Sequence, residues 1–239
     1  MNGMIFAAGL GTRLRPLTND RPKALVGLAG KPLLEHVILK MIRAGVDRIV
    51  INVHHYADLI GEFLKQRDYF NWDIVVSDER ECLLDTGGGL LKARPLFLPG
   101  QPVLIHNVDI LSELDLEQLI HEHEQRQHSA TLVVRPGGAG RGLRFSPAGL
   151  LKGWENLDTG EQRIVDDEFY VSRNYSFCGI HIVSSGFLER MEGRGVFSII
   201  DEYLHQAQST PVNMYFYEGL FLDLGTPESI EKAEKILRR

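Results

Sequence analysis

The chain has 239 residues, 44% of them hydrophobic, and a formal net charge of -6. That length suits one large α/β domain or a core with a lobe. The acidic balance argues against a nucleic-acid partner, and no apolar run approaches the ~20 residues of a membrane helix. Cys82 and Cys178 form neither a Cys-x-x-Cys pair nor a disulfide framework, so both read as buried apolar-type residues. Gly9 breaks the first apolar run and cations follow it, which is not the pattern of a secretory leader. A cytoplasmic, reducing compartment is the expectation.

Met4 to Ala8 is an apolar run that reads as a short buried strand ending in a glycine turn. Pro16 and Pro22 forbid a long regular helix after it. Lys31-Pro32-Leu33-Leu34-Glu35 starts a helix, with Leu34, Val37, Ile38, Met41 and Ile42 on one face and Gly45 as its stop. Strands over 48–53 and 73–77 flank a short amphipathic helix over 57–66, and a fourth strand runs over 102–107. This alternation predicts a parallel sheet covered on both faces. A polar-faced helix over 114–127 and a strand over 130–135 follow.

The second half reads differently. Ser146-Pro147-Ala148-Gly149 is a turn signal between two runs, 142–145 and 150–154, that predict a hairpin. The stretch 156–173 reads as charged and irregular. Then come a strand over 175–183, a helix over 198–207, and strands over 212–217 and 220–222 either side of Glu218-Gly219. Thr226 caps a last helix with Pro227 at its first position. There are no repeats and no low-complexity linker.

The chemistry concentrates at the first glycine turn. Gly9 and Gly11 allow backbone N–H groups to form an anion-binding concavity. Thr12 adds a hydroxyl, and Arg13, Arg15, Arg21 and Lys23 crowd positive charge beside it. A dinucleotide fingerprint would need glycine where Leu14 stands, and Gly30-Lys31-Pro32 fails the end of a Walker loop. Asp109, just beyond the strand ending at Asn107, is a reasonable Mg²⁺ ligand. In an open parallel sheet, ligands bind beyond the carboxyl ends of the strands, where these residues fall. The histidines show no zinc spacing: His54 and His55 diverge, and His121 and His123 do not share a helix face.

The string Gly9-x-Gly11-Thr12-Arg13-x-x-Pro16-x-Thr18, followed by Pro22-Lys23, resembles the signature of the sugar-1-phosphate nucleotidyltransferases. The resemblance runs from Met4 to the last helix and is greatest to N-acetylmuramate-1-phosphate uridylyltransferases and short mannose-1-phosphate guanylyltransferase-like proteins. It implies an α/β, Rossmann-like nucleotidyltransferase fold with a mostly parallel central sheet flanked by helices and a β-rich sugar-binding lobe. It further implies one domain over 1–239, with a nucleotide-binding half to about residue 110 and a sugar-binding half beyond.

Residue by residue, the resemblance implies nucleotide binding by Ala8, Gly9, Gly11, Thr12, Arg13, Lys23, Glu79, Thr86, Gly87 and Gly88. The run Asp85-Thr86-Gly87-Gly88-Gly89 would lie against the nucleobase. Asn107, Arg141, Gly179 and Asp223 would meet the sugar phosphate, and Asp109 and Asp223 would hold Mg²⁺, with Mn²⁺ a substitute. Two positions depart from the pattern: Val108 precedes Asp109 in place of glycine, and Leu143 stands where some relatives have a carboxylate.

The implied reaction joins a nucleoside triphosphate and a sugar 1-phosphate, releasing pyrophosphate. Arg13, Lys23 and Asp109 would be its catalytic residues, and UTP with N-acetylmuramate 1-phosphate its favoured pair. Mannose-1-phosphate guanylyl transfer and phosphocholine cytidylyl transfer are the alternatives within this chemistry. The rival class is a non-catalytic regulatory paralogue, against which Arg13, Lys23, Asp109 and Asp223 all stand. Base, sugar and oligomeric state are not legible in the sequence.

Overall fold

A computed structural model describes residues 1–138 and 140–237. The strands are β1 (Asn2–Phe6), β2 (Gly27–Leu28), β3 (Lys31–Pro32), β4 (Arg48–Val53), β5 (Asp73–Asp78), β6 (Val103–Asn107), β7 (Ile110–Ser112), β8 (Ala130–Pro136), β9 (Arg141–Phe145), β10 (Leu151–Asn156), β11 (Gln162–Ile164), β12 (Arg173–Val183), β13 (Val212–Phe216) and β14 (Phe221–Asp223). The helices are α1 (Leu33–Arg43), α2 (Ala57–Gln66), α3 (Asp85–Ala93), α4 (Leu116–Gln125), α5 (Ser185–Arg190), α6 (Ile199–Ala207) and α7 (Pro227–Leu237).

One ten-stranded sheet runs through the molecule in the order β11-β10-β9-β12-β6-β1-β4-β5, with β8 pairing β12 and β13. Its N-terminal half is parallel, because β1 pairs β4 and β6 in parallel and β4 pairs β5 likewise. Around β12 the sheet turns antiparallel, as β12 pairs β6, β8 and β9 that way, while β13 joins β8 in parallel. The predicted hairpin is β9–β10. Strand alternation sorts two cores. Ile5, Ile49, Ile51 and Leu104 face α1, α2, α4 and α7. Met4, Val50, Val103 and Ile105 face α3, α5 and α6. Helix α1 buries Leu33, Leu34, Val37, Ile38 and Met41, spaced for one stripe, and Gly45 ends it at φ 75°.

Several expectations need correction. The stretch 156–173 is not wholly irregular: it holds β11 and a 3-10 turn over Asp167–Val171. Helices α1 and α4 begin two residues late, at Leu33 and Leu116, because Lys31–Pro32 pairs in β3 and Asp115 caps α4 by accepting from Gln118 N–H. The glycine run at 87–89 lies inside α3. Strand β7 and helix α5 escaped sequence reading because both are short. Cys82 is exposed, not buried; Cys178 is buried, and that burial pushes its thiol up to about 12.

Candidate active site

The site begins where β1 ends. Ala7 donates its N–H to Asn52 Oδ1 (2.7 Å), which fixes the chain as it leaves the sheet. Gly11 takes φ 64° and opens a 3-10 turn over Thr12–Leu14, and Leu14 plugs the core beneath with no exposure. Thr18 Oγ1 donates to Gly11 O (2.8 Å), closing the loop on itself. A Cβ at Gly11 would lie 3.1 Å from both Lys23 Cβ and Thr18 Cγ2, so packing and φ both favour glycine. Gly9, Thr12 and Arg13 stay exposed on the rim.

Lys23 opens a second 3-10 turn over Lys23–Leu25, set by extended Pro22. Its Nζ donates to Asp109 Oδ2 at 2.8 Å, and a Cβ on Gly9 would sit 3.5 Å from that Nζ. The cation therefore stands between the glycine loop and the carboxylate. Their side chains are only 16% and 11% exposed. Asp109 follows β6, and Leu224 N–H donates to its carbonyl (2.8 Å) where β14 pairs β7. That pairing brings Asp223 alongside, opposite Ile110.

Asp223 Oδ1 accepts from Gly225 N–H (2.8 Å). A Cβ on Gly225 would lie 2.7 Å from Arg13 Nη2 and 2.8 Å from Asp223 Oδ1, so the guanidinium lies over Gly225 beside that carboxylate. Arg13, Lys23, Asp109 and Asp223 thus converge from four separate segments. Asp109 and Asp223 are hard oxygen donors, and among the described residues no cluster of three or more His, Cys, Asp or Glu could hold a metal alone. A two-carboxylate set suits Mg²⁺, which keeps waters and takes further ligands from phosphates.

Val108 is compatible with this geometry. It is buried in the core, its N–H donates to Phe6 O (3.2 Å), and its φ is not positive. Asn107 meets Gly179, which bulges from β12 at φ 67°; a Cβ there would lie 2.5 Å from Asn107 Nδ2.

Beside the loop is an apolar cavity of about 360 Å³, walled by Ala8, Gly9, Leu83, Thr86 and Val196 among others. Glu79 forms its back and is fully buried. Its carboxylate accepts from Asn52 Nδ2 (2.8 Å) and Leu84 N–H (3.3 Å), and His54 Nδ1 donates to its carbonyl (2.7 Å). Gly87 and Gly88 turn out to serve an internal contact. Their N–H groups donate to Phe197 O (2.9 and 3.3 Å), and Cβ atoms would lie 2.4 Å from the Phe197 ring and from Gly195 O. Thr86 Oγ1 accepts from Ile199 N–H (2.9 Å). The glycines let the 193–197 segment close against α3, and Val196 then reaches the cavity. Sequence reading missed Asn52 and Val196. The first had a signal, an amide inside an apolar strand; the second is assembled by tertiary contact alone.

Arg141 sits apart from the cradle. With Leu143, Trp154 and Phe177 it lines a second cavity of about 460 Å³, whose walls include none of Lys23, Asn107, Asp109 or Asp223. Asp85 borders both cavities. Leu143, buried at the position of the expected departure, contributes an apolar wall.

A family model described as nucleotidyl transferase matches residues 2–142. The chain belongs to the nucleotidyl transferase family. The match takes in Arg13, Lys23, Glu79, Asp109 and Arg141, while Gly179 and Asp223 lie beyond it. This nucleotidyl transferase is 50% identical over 108 residues to an N-acetylmuramate alpha-1-phosphate uridylyltransferase of Caulobacter vibrioides, a match covering 44% of each chain. It is 29% identical over 230 residues to a mannose-1-phosphate guanyltransferase of Gibberella zeae, covering 95% of this chain and 62% of that one. The chain therefore spans less than two thirds of the length of these relatives.

Among solved structures, it resembles HddC from Yersinia pseudotuberculosis (TM-score 0.78, 24% identity, 99% of each chain). It also resembles a UDP-glucose pyrophosphorylase from Acinetobacter baumanii (TM-score 0.77, 18% identity, 98% of this chain and 91% of that one). These likenesses establish the Rossmann-like α/β fold with its mostly parallel central sheet. No helix of the described residues is long and apolar enough to cross a membrane.

Proposed function

We propose that this chain transfers a uridylyl group from UTP to N-acetylmuramate 1-phosphate, releasing pyrophosphate. The observation that carries the chemistry is the convergence of Arg13, Lys23, Asp109 and Asp223 at the carboxyl end of the sheet, with the Lys23–Asp109 contact at its centre. Two polyanions must meet here, so the protein's task is alignment and charge neutralisation. A sugar-phosphate oxygen attacks the α-phosphorus. The bond from that phosphorus to the oxygen bridging to the β-phosphate breaks, and pyrophosphate leaves with that oxygen. The attacking phosphate is already ionised, so no side chain has to remove a proton.

Residues 9–12 cradle the triphosphate, Arg13 holds its β- and γ-phosphates, and Lys23 offsets charge where attack occurs. Asp109 and Asp223 would hold Mg²⁺, or Mn²⁺, which supplies Lewis-acid stabilisation of the phosphate oxygens. The base lies in the cavity of Ala8, Glu79, Leu83, Thr86 and Val196. Gly87 and Gly88 shape that wall. Asn107 and Gly179 meet the sugar phosphate. On this reading the nucleotide half, residues 1–110, borrows Val196 from the second half, and the sugar half, 111–239, borrows Asp85 from the first. The two free thiols suit a cytoplasmic setting.

The uridylyl choice rests on the 50% identity to the Caulobacter relative. The guanylyl reading stands second, because the mannose-type relatives cover 95% of this chain. Competition between equal UTP and GTP, one sugar phosphate at a time with products separated by mass, decides between them. UDP-sugar should dominate with N-acetylmuramate 1-phosphate. GDP-mannose as the main product would overturn the uridylyl choice.

A further inference from the structure

The second cavity lies between one face of the β9–β10–β11 sheet and the start of α6. Cross-strand pairing places Leu143 beside Trp154, and Trp154 beside Arg163. Arg163 stacks over the Trp154 ring, 4.9 Å from its centroid. That guanidinium is also committed to Asp201 and to Glu161 (3.3 Å), two carboxylates of the same cavity. Asp85, the third, accepts from Thr86 N–H (2.6 Å). Arg141 is different. It lines the cavity, is exposed, and no carboxylate of the described residues lies within ion-pair distance of it.

An indole and a phenyl ring with surrounding carboxylates form a platform suited to a pyranose. An uncommitted guanidinium at its edge, away from Lys23 and Asp109, is poorly placed for the reacting phosphate. Its fork geometry matches a carboxylate, with two parallel N–H···O bonds. We infer that Arg141 is a specificity-determining residue that selects acceptor sugars bearing a carboxylate on the ring substituent. This rests on the functional reading above, since N-acetylmuramate differs from N-acetylglucosamine by an acidic ether in place of a hydroxyl.

The test compares N-acetylmuramate 1-phosphate with neutral N-acetylglucosamine 1-phosphate, using UTP and the full chain. Wild type, Arg141→Met and Arg141→Lys are assayed for kcat/KM, and their affinities for each sugar phosphate are measured by calorimetry. The ratio of acidic to neutral kcat/KM should fall about 10- to 100-fold in Arg141→Met, the scale of one charge-assisted contact. The change should lie mainly in KM, and Arg141→Lys should recover part of it. Equal losses on both sugars, or an unchanged ratio, would overturn the inference. A wild type that prefers the neutral sugar would overturn it too, while leaving nucleotidyl transfer standing. If no nucleotide–sugar pair releases pyrophosphate, the functional reading falls. Calorimetry then still judges Arg141, by whether Arg141→Met weakens the acidic ligand more than the neutral one.

Discussion

Replacing Lys23 with alanine tests the centre of the site. Its Nζ lies 2.8 Å from Asp109 Oδ2, with the two side chains 16% and 11% exposed. A positive charge held at so sheltered a place would, beside the phosphorus of the proposed transfer, act like a preorganised oxyanion donor. Loss of one such donor costs about 10²–10³ in turnover. The same change strands the Asp109 carboxylate. Breaking a buried pair costs about 3–5 kcal/mol; residual solvent contact lowers this to about 1–3 kcal/mol. In a chain of this size each kcal/mol moves the melting temperature by about 2–4 °C. Adding Asp109→Asn to Lys23→Ala should restore much of that stability and none of the turnover. Steady-state pyrophosphate release and calorimetric melting read the two effects. A folded Lys23→Ala protein with turnover within about threefold of wild type would refute the reasoning.

Asp109→Asn and Asp223→Asn should each cripple activity at ordinary Mg²⁺ and regain some at high metal; full activity in excess chelator would contradict the two-carboxylate site. Gly88→Ala should destabilise by about 1–3 kcal/mol and raise KM for the nucleotide. Its Cβ would lie 2.4 Å from Gly195 O, a backbone atom that cannot yield alone; a melting temperature raised by the better helix former would refute this contact. Burial lowers His123 to about 4 and His181 to about 3. The unfolded chain takes up these protons first, so stability falls as pH drops below about 6.5 and levels off near pH 3–4. The slope is about 1.4 kcal/mol per pH unit for each histidine, and a melting temperature flat from pH 7 to 4.5 would contradict it.

The parallel half of the sheet was legible because β-branched runs buried on both faces carry a strong signal, as in Ile49, Val50 and Ile51 of β4. The cationic loop after β1 was legible because glycines, prolines and charges cluster in that one short stretch. What the sequence hid is tertiary. Nothing local announces that Gly87 and Gly88 close against Phe197, or that β7 and β14 pair to set Asp223 beside Asp109. Cys82 was misread because a loop cysteine and a core cysteine look alike without neighbours. Arg141 stands out in the sequence, but its separation from Lys23 and Asp109 depends on β9 pairing β10 and β12 rather than β6.

The most direct measurement is product analysis by mass spectrometry after incubating the full chain with UTP, N-acetylmuramate 1-phosphate and Mg²⁺. The account predicts UDP-N-acetylmuramate and pyrophosphate in equal amounts, both abolished by chelator and nearly so by Lys23→Ala. UTP hydrolysed without a nucleotide-sugar, or no pyrophosphate with any sugar 1-phosphate and any nucleoside triphosphate, would contradict it.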